Sequence, residues 1–147
     1  MLYSFLENFK WITSTIYIAN EQKNITKRKL NLDLYEKRYK IYYETKEFIH
    51  TCIIKNKITT EEHEDFIVKT NEKYFLFGSE IIEYLNLLVK NSDILEDTAH
   101  DFEEKEGGTE EREKLVNERG DMNKWFRDQW FTLESKFLKY LDFKNLK

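Results

Sequence analysis

Apolar side chains recur at helical spacing along almost the whole chain. Phe5, Phe9, Ile12, Ile16 and Ala19 follow one another at steps of four, three, four and three. Those steps place them on one stripe of a helix running from Leu2 to about Gln22, and Leu2, Leu6, Tyr17 and Ile18 widen the stripe. From Leu30 to Lys55 the period continues. Leu30, Leu34, Ile41, Phe48 and Cys52 form one row, and Tyr35, Tyr39, Tyr42, Ile49 and Ile53 form its neighbour. Nothing between residues 4 and 55 stops a helix, so these two segments can run on as one. Lys55-Asn56-Lys57 marks the end, with cations at the negative pole of the helix.

Thr59 followed by Glu62 is a capping box, in which each side chain satisfies a free backbone N–H of the other residue. A helix over 60–77 follows, carrying Phe66, Ile67, Thr70 and Tyr74. Gly78 is read as a helix stop at positive φ and Ser79 as the cap of the next helix. That helix, over 79–104, carries Ile82, Leu85, Leu88 and Val89, with fraying expected at Asn91-Ser92-Asp93. Gly107-Gly108 among charges is the best loop, and Thr109 is placed to cap the last helix. The last helix, over 109–142, bears Leu115, Met122, Phe126, Trp130, Leu133, Phe137 and Leu141, with Trp125 beside them.

The pattern therefore predicts an all-α fold: an elongated bundle of four to five helices over about 4–24, 28–56, 60–77, 79–104 and 109–142. A length of 147 residues suits one domain, with 1–24 as an amphipathic N-terminal helix and 28–142 as the body. Composition strengthens the helical reading. There is no proline and there are only four glycines, so the turns of an all-β fold lack their usual residues. The 40% hydrophobic fraction, rich in Phe and Tyr, is enough to build a core without disulfide or metal. Tyr35, Tyr39, Trp125 and Trp130 are expected inside it. Cys52, the one cysteine, excludes an internal disulfide and fits a reducing, cytoplasmic setting.

Charge and chemistry narrow the function classes. A net charge of −4 gives no global field for nucleic acid, and none is expected as a partner. The one basic cluster, Lys23 with Lys27, Arg28 and Lys29, directly follows the apolar N-terminal stripe. That order suits contact with an anionic membrane surface, or a stripe that packs on a partner while the cations stay solvated. As a span the segment is weak, because Glu7, Lys10 and four Ser/Thr residues interrupt it.

No catalytic constellation is complete. Arg is missing four to six residues before His50, His63 and His100, which excludes the helical endoribonuclease site of the HEPN type. No two histidines lie four apart, as zinc chemistry of the HExxH type requires. His100-Asp101 matches an HD phosphohydrolase dipeptide without the further histidines such a site needs. Glu47-Phe48-Ile49-His50 supplies one Glu-x-x-His element of a di-metal bundle, and its second copy is missing. The clusters Glu61, Glu62, Glu64, Asp65 and Glu103, Glu104, Glu106 read as solvated faces. No catalytic residue, metal or cofactor is expected.

Three stretches resemble a recurring pattern in small bacterial helical proteins that often carry an N-terminal membrane helix. They are Lys29 to Tyr42 continuing to Phe48-Ile49, Tyr74 to Leu85, and Trp125 to Leu141. The resemblance implies a helical fold and membrane association, and it points to no particular activity. Altogether the residues predict a non-enzymatic interaction or scaffold module. Its contacts are Phe5, Phe9, Ile12, Ile16, Lys27, Arg28 and Lys29. They would engage a protein partner, a second copy or an anionic membrane surface, in the cytoplasm and at the inner face of the membrane. The alternative is a membrane-perturbing effector or toxin that inserts its N-terminal helix on assembly.

Overall fold

In the computed structural model the described residues are 1–104 and 110–142, with side chains described for 1–101 and 110–142. Every regular element among them is a helix: α1 (Leu2–Lys55), α2 (Thr60–Lys69), α3 (Lys73–Leu76), α4 (Ser79–Glu104) and α5 (Glu110–Leu141). The protein is all-α, as the periodicity predicts. The Gly107-Gly108 loop, the Thr109 cap and the acidic side chains at 103, 104 and 106 lie outside the described residues.

The chain divides into two units, Met1–Glu36 and Lys37–Lys147. The first is helical and buries nothing: every residue from Met1 to Leu30 is exposed. Leu30, expected in a core row with Ile41 and Cys52, is therefore a surface residue.

The second unit holds the core. Ile41, Phe48, Ile49 and Cys52 from α1 are buried there, together with Phe66, Ile81, Leu85, Leu88, Leu95, Phe126, Leu133 and Phe137. Their spacing on each helix is the three-and-four step that puts them on one face. Phe48 stacks on Phe66 with ring centroids 3.9 Å apart, and Phe77 meets Phe137 edge-on at 5.4 Å. Fully burying a Phe side chain contributes about 1.5–3 kcal/mol. Phe126 and Phe137, both closed off from solvent, are anchors of α5. Burial pushes the Cys52 thiol up to about 12, so it is an inert filler. The aromatics expected inside sit at the edge instead. Tyr39 is exposed, and Tyr35, Trp125 and Trp130 are half-buried. Trp130 lies beneath the Lys46 amine at 5.3 Å and beside the His50 ring at 5.6 Å.

Helix boundaries have local causes. α1 ends at Asn56, which takes φ 48°, a left-handed conformation that Asn tolerates better than most residues. The last carbonyls of α1 are satisfied from α5. Arg119 donates to the Asn56 carbonyl at 2.7 Å, and the Asn123 amide donates to Ile53 at 2.9 Å. The capping box forms in full: Thr59 Oγ1 accepts from the Glu62 N–H, and Glu62 Oε2 accepts from the Thr59 N–H at 3.2 Å. Burial pushes the Glu62 carboxyl up, but Lys55 and the two Thr59 donors outweigh it, and the group titrates below the usual range.

Three further expectations are corrected. The helix over 60–77 is broken, with α2 ending at Lys69 and one turn, α3, resuming at Lys73. The buried Thr70 hydroxyl donates back to the Phe66 carbonyl at 2.8 Å, a bond that competes with the ladder. Gly78 does not take positive φ. It occupies the N-cap position of α4, its carbonyl accepting from Ile82, while Ser79 is already helical. Finally, α4 runs unbroken through Asn91-Ser92-Asp93, where buried Ser92 donates to the Val89 carbonyl at 2.7 Å.

Candidate functional site

Two places in the molecule hold side chains that the fold leaves without an obvious structural task. One is the surface of α1 in the first unit. Phe5 is 72% exposed and Ile12 57%, and Phe9 and Ile16 are similarly open. Leu2, expected to widen the stripe, continues its steps of three and four. Leu2, Phe5, Phe9, Ile12, Ile16 and Ala19 then occupy six consecutive seam positions at steps of three and four, about 26 Å of helix. The flanking positions are Leu6, Thr13 and Asn20 on one side and Asn8, Thr15 and Gln22 on the other, all uncharged. Thr13 and Thr15 donate to carbonyls one turn back, at 3.0 and 2.8 Å, and so present little free polarity. Ile18, expected to widen the stripe, instead falls roughly opposite the seam together with Trp11, and both are exposed.

The predicted cations are placed less simply. At about 100° per residue, Lys23 and Lys27 continue the seam face, whereas Arg28 and Lys29 point to other sides. Lys23 and Lys27 border a shallow groove with Asn20, Asn24, Thr26 and Leu30. The cluster therefore rings the helix instead of forming one basic face. Among the described residues no helix is long and apolar enough to cross a membrane.

The second place lies in the body and was not recognised from the sequence. His63 on α2 projects toward Asp93 and Glu96, one turn apart on the same face of α4. Nε2 of His63 lies 3.0 Å from Asp93 Oδ1, and Nδ1 lies 3.8 Å from Glu96 Oε2. The other Glu96 oxygen accepts from the Thr60 hydroxyl, which tethers that carboxylate to the start of α2. The signal in the sequence is faint: a His inside an acidic helix start, and an Asp-x-x-Glu thirty residues later. The Glu-x-x-His element assembles nothing comparable, because His50 turns to Trp130.

No family model, curated protein or solved structure matches the chain. The functional reading therefore rests on these two arrangements alone.

Proposed function

We propose that the chain is a docking module that acts through the Leu2–Ala19 seam of α1, with a second copy of the chain as its first occupant. The observation that carries the reading is the run of six exposed apolar seam positions. Soluble helices normally cover such a stripe, and alternating steps of three and four are those that fit knobs of one helix into holes of another. Uncharged flanks set no repulsion between copies. Antiparallel pairing suits the cations, since it moves the Lys23–Lys29 clusters of two copies to opposite ends of the seam.

A second reading, an effector that inserts α1 into a membrane on assembly, is favoured by Trp11 and Ile18. When the seams of several copies face each other, these two side chains point outward. Sedimentation velocity over a hundredfold range of concentration tests the first reading. The wild type should pass from monomer to a defined oligomer, and Ile12→Asp plus Ile16→Asp should stay monomeric. A wild type that never assembles, or a double variant that assembles equally well, overturns it. A chain that stays monomeric in solution and instead releases dye from anionic vesicles supports the second reading.

A further inference from the structure

We infer that His63, Asp93 and Glu96 form a site for a divalent first-row transition metal that clips α2 to α4. Three independent features point there. The first is composition: one imidazole and two carboxylates are hard-to-borderline donors that suit zinc, cobalt, manganese and iron. All three ligand atoms fall within 4.8 Å of one another, close enough for one ion to reach.

The second is an unsatisfied atom. Nε2 of His63 is shut off from solvent and makes no hydrogen bond, although Asp93 Oδ1 lies only 3.0 Å away. Distance is not the obstacle, so the oxygen lies off the line along which Nε2 would direct a proton. Two ligands on one cation have that relation. With metal–ligand distances of about 2.1 Å and right-angle coordination, the ligand atoms stand about 3.0 Å apart, each well off the other's lone-pair axis. A cation between them satisfies both groups where a proton satisfies neither well.

The third is charge. Among the described residues neither Asp93 nor Glu96 has a Lys or Arg ion-pair partner, and both carboxylates face the His63 ring. The nearby Lys55 and Lys69 are committed elsewhere, to Glu62 and to Glu44 and Asp65. Two carboxylates around a largely buried imidazole thus leave a local deficit of positive charge, which a divalent ion removes.

The supporting geometry is that of a built site. The His63 side chain is only 14% exposed, held by helical backbone whose N–H bonds the Thr59 carbonyl at 2.9 Å. Thr60 fixes one Glu96 oxygen and leaves the other facing the ring. The Asp93 side chain, 49% exposed, opens the site to solvent, so water fills the remaining coordination positions. Three protein ligands joining residues 63 and 93 close a long loop with the ion, and metal binding should therefore appear as added stability of the body.

Cobalt(II) titrated into the untagged full chain tests the site. The expected result is saturable binding of one ion per chain, followed by visible d–d absorption and competed by zinc(II). Affinity should fall at least tenfold in Asp93→Asn and in His63→Ala, with a smaller loss in Thr60→Ala. NMR of the cobalt-loaded wild type needs no variant: the His63 ring protons should carry the large contact shifts of a coordinated imidazole, with only smaller through-space shifts at His50 and His100. Absence of saturable binding, undiminished binding in Asp93→Asn, or contact-shifted ring protons belonging to His50 or His100 instead of His63 would overturn the assignment.

Discussion

Ile12 and Ile16 in the first unit and Ile41 and Ile49 in the second are the same residue type, set on the same helix at helical spacing. The first pair is more than half exposed, and the second is closed off completely or nearly so. Side-chain chemistry and period are shared, and the cover differs. Unit Lys37–Lys147 supplies Phe66 against Phe48 and Phe137 against Tyr42 of its stretch of α1, whereas Met1–Glu36 supplies no second element. An apolar stripe thus specifies which face of a helix needs cover, without specifying what covers it. Most of the stability of a short helix comes from packing of that face. The two stretches of α1 should therefore differ in stability even though both are helical.

Matched truncations exploit that difference most strongly. Phe126→Ala empties a fully buried site and should cost about 3–5 kcal/mol, seen as a lower midpoint in urea. Phe9→Ala, made at concentrations where the chain is monomeric, should stay within about 0.5 kcal/mol. Equal costs would erase the contrast between the units. A second substitution probes how the body closes. A Cβ at Gly78 would sit 2.6 Å from the Tyr140 hydroxyl and 2.5 Å from Glu80 Oε2. That hydroxyl itself accepts from the Gly78 N–H at 2.7 Å, so Gly78→Ala should break the bond and cost about 1–2 kcal/mol by the same assay. No loss would mean that the α4–α5 junction tolerates the shift.

The smallest effect is electrostatic. Lys139, and then the Tyr140 hydroxyl at 2.7 Å, hold the Glu80 carboxyl down at about 2, against an ordinary 4.5. A carboxyl depressed on folding stabilises the native state above its unfolded value and loses that contribution as pH falls from about 4.5 to about 2. Thermal midpoints of the wild type should thus drop further over that window than those of Glu80→Gln. Salt should narrow the gap, since the group is exposed. Parallel curves would remove Glu80 from the acid response.

How much of this was legible depended on the range of the interaction. The Thr59–Glu62 capping box, the end of α1 at Asn56 and the stripe from Leu115 to Phe137 are local, and each forms where periodicity and capping chemistry place it. The break after Lys69 was missed because no proline or glycine marks it, and Thr70 makes the same one-turn-back bond that Thr45 makes inside unbroken α1. Gly78 was noticed for its conformational freedom, yet what it provides is room for Tyr140, sixty-two residues away. The His63, Asp93 and Glu96 group was invisible for the same reason. His63 was weighed only for its missing Arg and Asp93 only as a point of fraying, until two helices brought them together with Glu96. The exposed seam was legible as a stripe, and its lack of cover was not.

The most direct measurement is hydrogen exchange of the backbone amides of residues 5–19 as a function of protein concentration. The account predicts rapid exchange in dilute solution, where α1 has no cover in this stretch, and growing protection as copies pair along the seam. The amides around Phe126 should be protected throughout. Strong protection of 5–19 in the dilute monomer, or none at any concentration, would contradict it.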